Sequence, residues 1–397
     1  MNFFLKNKYI KFFLIIIIFP FWNIFYLISL FIPKKKNLWL FGAGTGTQYN
    51  DNTKYFFEYI SLKKKKIKAI WLTHSNEILK HVRSKGLVCY KIYSFKGFYL
   101  SLKADLSFVS THWRDLNHFL PNKKTIQLWH GSPIKKIYND DSRIIEKREL
   151  FLKKVIKFFF PYLKTIDDYF AIIASSKDER KNLSSGFNLS LEKIHITGLP
   201  RNQNFNHIKS GLSKTKTNLR AIYLPTWRQI NHDEFINSFQ KLNFAIRKYK
   251  NIFIDIKLHP YNFSLLKNIN VKNPRISIIK NDFTNDDLHA YLNDYDILIT
   301  DYSSIFFDFL LTKKPIIIFA PDHDMYLKYE RNFYYKFDEI KTTSIFTDWG
   351  ALLGWISCKG YNDKKYIKKY NHLLKRFHNY DKKDISNNLY KSVEMYG

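Results

Sequence analysis

The sequence predicts an α/β protein of two doubly wound, Rossmann-like halves facing a cleft, and three observations predict it. Short apolar, β-rich runs alternate with helix-compatible stretches at a spacing that suits βα units and parallel sheets. The 397 residues exceed one ordinary core at a prior of about 150 residues per domain. A polar stretch over residues 206–218, with Gly211, Ser213 and alternating Lys and Thr, separates two series of such runs. The expected organisation is a membrane segment 1–36, an N-terminal α/β domain 37–205, a linker 206–218 and a C-terminal α/β domain 219–397.

The first segment carries no charge from Phe12 to Ile32, which is long enough to cross a hydrocarbon core as a helix. Pro20 would kink it, and Trp22 and Tyr26 favour the headgroup zone. Lys6, Lys8 and Lys11 precede the run and Lys34 to Lys36 follow it. With positive charge on both flanks the orientation rule is silent, and a surface-lying or re-entrant hairpin competes with a full span. A cleaved signal peptide is disfavoured, because the apolar region is too long and no small-residue cleavage site precedes Pro33. The expectation is a retained membrane-associated helix with a catalytic body on the cytoplasmic face of the cell membrane.

Strands are expected at Asn37 to Phe41, Lys68 to Leu72, Val88 to Ile92, Leu106 to Val109, Thr125 to Leu128, Phe170 to Ala174 and Ile194 to Ile196. After the linker a second series comprises Arg220 to Leu224, Ile252 to Lys257, Ile276 to Ile279, Asp296 to Ile299 and Pro315 to Phe319. The Lys-rich tail from Asp363 onward reads as helical and surface-exposed. Phe and Tyr are abundant throughout, and most belong to cores and sheet faces.

The formal charge of +31 favours anionic partners: a lipid surface, a polyphosphate polymer, a phosphorylated nucleotide or nucleic acid. Nucleic acid is disfavoured, since no helix-turn-helix, zinc-finger or RNP-type signature accompanies the charge. The dominance of Ile, Asn, Lys, Phe and Tyr fits an AT-rich coding background. Cys89 and Cys358 lie far apart without C-x-x-C spacing, so neither a disulfide framework nor a thiolate metal site is suggested, and a reducing cytoplasm fits.

Chemistry concentrates at strand ends. Thr300-Asp301-Tyr302-Ser303-Ser304-Ile305-Phe306-Phe307-Asp308 follows an apolar run, so its hydroxyl-rich turn falls where open α/β sheets bind ligands. A helix starting near Ser303 would add free N–H groups to the hydroxyls of Ser303 and Ser304, making an anion site; an ordinary Ser N-cap is the alternative. In Leu128-Trp129-His130-Gly131-Ser132-Pro133, His130 is delivered to the mouth of the sheet, where an imidazole with an ordinary pKa of about 6.5 suits a general base. Lys257-Leu258-His259-Pro260 presents a second His at a strand end of the other half, cationic or hydrogen-bonding. Structural His residues beside turns are the alternative for both.

Arg228 in Tyr223-Leu224-Pro225-Thr226-Trp227-Arg228 and Arg201 in Gly198-Leu199-Pro200-Arg201-Asn202 each follow a strand and a Pro-containing turn, suited to phosphate oxygens, with surface ion pairing as the alternative. Gly42-Ala43-Gly44-Thr45-Gly46-Thr47 has Thr47 where a dinucleotide fingerprint needs Gly, and reads as a flexible βα turn able to approach the acceptor. Asp322-His323-Asp324 has acidic metal-motif spacing, but clustered ligands are otherwise scarce and a metal is disfavoured.

In order, W-H-G-S-P-I-K-K, G-L-P-R-N, L-P-T-W-R, K-L-H-P and T-D-Y-S-S-I-F-F-D resemble the motif series of the CDP-glycerol glycerophosphotransferase family, which contains teichoic-acid primases and polymerases and related capsule polymerases. The opening W-L-F-G-A-G-T-G-T-Q-Y-N-D-N-T-K-Y-F-F-E-Y, and Tyr326 with Arg331-Asn332-Phe333-Tyr334, extend the likeness over most of the chain after residue 36. The resemblance implies a GT-B-type fold and transfer of a polyol phosphate from CDP-glycerol or CDP-ribitol to a lipid-linked glycan or polyol-phosphate polymer at an anionic membrane surface, releasing CMP and using no cofactor. It implies His130 as general base and His259 at the donor diphosphate, assisting the leaving CMP. Thr300, Ser303, Ser304, Asp308 and Arg228 would bind the donor, Asp308 through its ribose, and Arg201 and Lys135 would be further acceptor or phosphate contacts. Ser132 stands where the family commonly has Thr, and Gln203 where it commonly has Asp. Competing readings are a nucleotide-sugar glycosyltransferase on the same fold and a non-catalytic basic membrane protein binding anionic polymer.

Overall fold

The structure, a computed structural model, describes residues 23–24, 26–117, 124–141, 166–207, 212, 216–228, 233–259, 262, 273–280, 287–329 and 332–396. Among these, strands form at every run expected from the sequence: β1 Lys35–Gly42, β2 Lys68–Thr73, β3 Cys89–Lys91, β4 Ala104–Val109, β5 Lys124–Gln127, β6 Ala171–Ala174, β7 Ile194–Ile196, β8 Leu219–Leu224, β9 Ile252–Ile256, β10 Ile276–Ile278, β11 Ile297–Thr300 and β12 Ile316–Ile318. They build a sheet of order β3-β2-β1-β4-β5-β6-β7 and another of order β10-β9-β8-β11-β12. The strand pairs run parallel, for example with Leu298 opposite Ile222 on one side and Ile316 on the other.

The chain divides into two compact units, one of Met1–His130, Ser142–Ile173 and Tyr390–Gly397, the other of Gly131–Asp141 and Ala174–Leu389. Both draw on distant parts of the sequence, where the linear reading had one boundary at 206–218. Much of that linker, 208–211 and 213–215, lies outside the described residues, as do Pro260 and Arg331.

In the second unit alternation along the strands divides the core. Tyr223, Ile254, Ile299, Ile317 and Phe319 pack with Phe239, Leu242, Trp349 and Leu352 on one face. Ile222, Leu224, Leu298, Ile316 and Ile318 pack with Phe306, Phe307, Leu373 and Phe377 on the other. Both faces are therefore covered, which is why the runs read as continuously apolar. In the first unit Phe41 stacks on Phe108 at 4.8 Å, and Phe56, Phe57 and Ile60 of the helix Asp51–Lys63 are fully buried. Serine caps start several helices: Ser75 accepts from Ile78 N–H, Ser94 from Gly97 and Ser176 from Glu179.

One expectation about the C-terminal part of the chain changes. The Lys-rich tail is helical at Lys364–Phe377 and Ile385–Glu394, but it is not simply a surface element. Tyr366, Tyr370, Leu373 and Phe377 fall at helical spacing and are buried, leaving the lysines on the opposite face. Gln203 accepts from the N–H groups of Ile385 and Ser386, so this departure from the expected acidic residue ties down the start of the last helix. The expected membrane helix lies largely outside the described residues. Among those described, no helix is long and apolar enough to cross a membrane. Residues 26–31 are helical, with Leu27, Ile28 and Phe31 exposed.

Candidate functional site

In the first unit the chain leaves β5 through Leu128 and reaches His130 by an unusual backbone step. Trp129 adopts a left-handed conformation, φ 52°, which costs a non-glycine residue about 1–2 kcal/mol. Hydrogen bonds on both sides hold it there. Asn52 Nδ2 donates to the carbonyls of Leu128 (3.0 Å) and Trp129 (2.8 Å), and Trp129 N–H donates to Gln127 Oε1 (2.9 Å). His130 is exposed, its ring 4.0 Å from that of Trp129 and its Nδ1 3.1 Å from the Ser110 carbonyl. A carbonyl can only accept, so Nδ1 carries the proton and Nε2 is the basic nitrogen.

In the second unit β11 ends at Thr300 and the expected turn follows. Its helix begins later than expected, at Ile305–Leu310, and is short, so the N-terminal dipole there is weak. Ser303 and Ser304 are half-buried, and their hydroxyls make no hydrogen bond among the described residues. Thr300 differs: its Oγ1 is buried and donates to the Leu224 carbonyl at 2.7 Å, so it braces β11 against β8. Gly131 presses on the turn. With φ +133°, a Cβ there would sit 2.8 Å from Ser304 Oγ and 2.9 Å from Arg201 Nη2. The backbone behind it is held by Ser132, whose hydroxyl meets that of Ser175 at 3.3 Å, while Ser175 donates through N–H and Oγ to buried Glu179.

Asp308, expected at the donor ribose, is enclosed by protein. Arg201 Nη2 (2.6 Å) and His289 Nε2 (3.2 Å) meet its Oδ2, and Asn202 Nδ2 (2.7 Å) meets Oδ1. Burial alone would raise its pKa, but Arg201, His289 and Asn202 outweigh it and hold the carboxyl well below the usual range. Arg201, foreseen as an acceptor or phosphate contact, is thus 4 % exposed and paired. The G-L-P-R-N motif clamps the end of the turn motif.

Arg228, expected at the donor, is likewise engaged by protein. Its side chain is fully buried; Nε and Nη2 form a fork to Asp322 (2.9 and 2.8 Å), and Nη1 donates to Asp301 (2.6 Å) and to the Thr226 carbonyl (2.6 Å). It has no fork left for a phosphate. Asp301 also accepts from Thr226 N–H and Oγ1 and from Tyr302 N–H, and Asn262 exchanges hydrogen bonds with the Arg228 backbone. The Asp-His-Asp spacing is explained here: Asp322 serves Arg228, and His323 Nδ1 meets the Tyr302 hydroxyl. Among the described residues no group of three or more His, Cys, Asp or Glu is arranged to hold a metal ion.

His259 follows β9 at the same end of the sheet as the Ser303–Ser304 turn. His259 is exposed at the surface, yet partial desolvation of its ring and then the charge of Lys135 lower its pKa to about 4, which favours the uncharged imidazole at neutral pH over the cation the sequence also allowed. Lys135 is half-buried, with Nζ 5.5 Å above the Tyr326 ring; the Arg228 guanidinium lies 4.8 Å from the same ring. Sequence reasoning missed Asn52, Glu179 and His289. Each is a lone polar residue on a helix, and only its partner elsewhere in the chain gives it a role.

The chain matches a protein family over residues 24–395, that of CDP-Glycerol:Poly(glycerophosphate) glycerophosphotransferase. It belongs to this family, and it is an enzyme. The chain is 29% identical over 335 residues to the teichoic acid poly(glycerol phosphate) polymerase of Bacillus spizizenii, covering 78% of this chain and 80% of that protein. It is 27% identical over 316 residues to the teichoic acid glycerol-phosphate transferase of Staphylococcus aureus, covering 76% and 78%. A teichoic acid ribitol-phosphate primase of Bacillus spizizenii is 25% identical over 376 residues, covering 87% and 88%. In fold the chain resembles the wall teichoic acid polymerase TagF, with TM-score 0.70 and 22% identity over 91% of this chain and 89% of that one. The UDP-GlcNAc 2-epimerase of Neisseria meningitidis shares the architecture at TM-score 0.51 and 12% identity, covering 90% and 99%.

Replacing Arg228 by Ala would strand Asp301 and Asp322 in the interior, and the expected cost is about 3–5 kcal/mol of stability, measured by urea unfolding. An arginine serving only as a phosphate grip would instead raise the donor KM and leave the unfolding midpoint in place.

Proposed function

We propose that this enzyme transfers glycerol phosphate, or a related polyol phosphate, from a CDP-activated donor to a hydroxyl of a lipid-linked or polymeric acceptor, releasing CMP in the synthesis of a teichoic-acid-like polymer. The first unit supplies the acceptor side and the second the donor side. The observation that carries the donor assignment is the pair of unengaged hydroxyls, Ser303 and Ser304, at the end of β11 in a turn braced by Gly131, Asp301 and Asp308.

In the reaction an acceptor oxygen attacks the phosphorus bearing the polyol and the bond from that phosphorus to the CMP oxygen breaks. Nε2 of His130 takes the acceptor proton. Negative charge grows on the departing CMP phosphate, where neutral His259 and the serine hydroxyls donate hydrogen bonds. Work at the cytoplasmic face of the membrane fits the exposed Leu27, Ile28 and Phe31 followed by Lys34 to Lys36.

His130→Ala is expected to lower acceptor-dependent CMP release from CDP-glycerol or CDP-ribitol by about 100-fold or more in the full-length protein with a lipid-linked acceptor extract. Release at the wild-type rate would remove His130 from the chemistry, and release from neither donor would favour a glycosyltransferase or a binding protein. His259 gives a second check. The diphosphate's negative charge should raise its lowered pKa, so donor binding at about pH 5.5 takes up part of a proton, seen as buffer-dependent heat in titration calorimetry. Heat independent of the buffer would separate His259 from the diphosphate.

A further inference from the structure

We infer that Asp115 is a positioning residue for His130, an inference that rests on His130 being the base proposed above. Asp115 is fully buried, and among the described residues no Lys or Arg pairs with it. Its carboxylate is held by backbone alone: Oδ1 accepts from Thr45 N–H at 2.7 Å, and Oδ2 from Ser110 (3.0 Å), Thr111 (2.8 Å) and His112 (3.3 Å). Burial outweighs the pull of these N–H groups and pushes its pKa up to about 7. An interior anion is costly, so the arrangement persists only where something depends on it.

What depends on it is the peptide that meets the imidazole. Ser110, whose N–H Asp115 binds, is the residue whose carbonyl receives His130 Nδ1–H. Thr111, the next donor, has its carbonyl bonded at 3.4 Å by Gln127 Nε2, and the same Gln127 side chain accepts from Trp129 N–H. Asp115 therefore fixes both the acceptor that selects the His130 tautomer and the anchor of the strained residue that carries His130. Through Thr45, itself left-handed at φ 54°, it also holds the glycine-rich turn, and Gly42 leaves room for nothing larger: a Cβ there would lie 2.2 Å from the Asp115 carbonyl oxygen. The G-A-G-T-G-T segment thus has a place beside the base without being a nucleotide fingerprint. The general principle is that a base works when its orientation is locked by groups that do not touch substrate.

The test is Asp115→Asn in the full-length enzyme, with His130→Ala beside it, assayed for kcat, donor KM, pH dependence and thermal unfolding. The substitution keeps the volume and turns an amide towards N–H donors. The expected result is kcat lowered about 10- to 100-fold with CDP-glycerol KM within about twofold. The acid limb of the kcat profile should move to lower pH, because a loosened carbonyl no longer favours the imidazolium. A loss of activity that only follows the folded fraction, with the profile unmoved, would make Asp115 structural and overturn the inference. Loss in His130→Ala with wild-type behaviour in Asp115→Asn would overturn it alone; an active His130→Ala would instead overturn the underlying reading of the base. Should Asp115→Asn not fold, nitrogen NMR of wild-type protein labelled at histidine, assigned with His130→Ala, decides: a proton on Nδ1 is expected, and a proton on Nε2 contradicts the inference.

Discussion

Two buried carboxylates, Asp301 and Asp308, hold the Ser303–Ser304 turn from its two ends, and the proposed donor contact depends on that restraint. Each is 1% exposed, and each would cost several kcal/mol to desolvate if left alone. Neither is alone. Asp301 meets Arg228, Thr226 and two backbone N–H groups, and Asp308 meets Arg201, Asn202 and His289. The partners come from L-P-T-W-R and G-L-P-R-N, so motifs far apart in sequence converge on one turn and are used up in shaping it. What remains unpaired at the surface of that turn is a pair of hydroxyls, held still before any ligand arrives. Preorganised donors of this kind avoid the reorganisation that water would undergo as charge moves onto a leaving phosphate.

The backbone around His130 follows the same logic with different groups. Trp129 carries backbone strain so that His130 can leave the end of β5, and Asn52, Gln127 and the Asp115-bound strand end keep the strained form in place. In each unit ionic and amide side chains serve the backbone around the proposed site residues. Part of the positive charge lies on the lysine face of Lys364–Phe377.

The strands were legible because both sheets are covered on both faces, so each strand had to be an apolar run bounded by turns, as in Ile297–Thr300 and Ile316–Ile318. The placement of His130, His259, Ser303 and Ser304 after strands was legible for the same reason. The buried partners of Arg228, Asp308 and Thr300 were not. An arginine or aspartate after a strand has the same local signature whether it faces ligand or a partner buried across the fold, and the Arg228–Asp322 and Arg201–Asp308 pairs join residues that no spacing connects. Asp115 was hidden further, since its partners are backbone N–H groups, which every sequence has. The tail was misjudged because its lysines dominate the composition, while Tyr366, Tyr370, Leu373 and Phe377 needed only one stripe to bury it.

The proposed donor contact is between the Ser303 and Ser304 hydroxyls of the braced turn and the donor's phosphate oxygens. Its most direct test is the affinity of CDP-glycerol for the Ser303→Ala/Ser304→Ala enzyme, measured by titration calorimetry alongside thermal unfolding. Hydrogen bonds to a charged group contribute about 1.5–3 kcal/mol each, so Kd should rise at least about tenfold while the unfolding midpoint stays put. An unchanged Kd would place the donor's phosphates elsewhere and contradict the account.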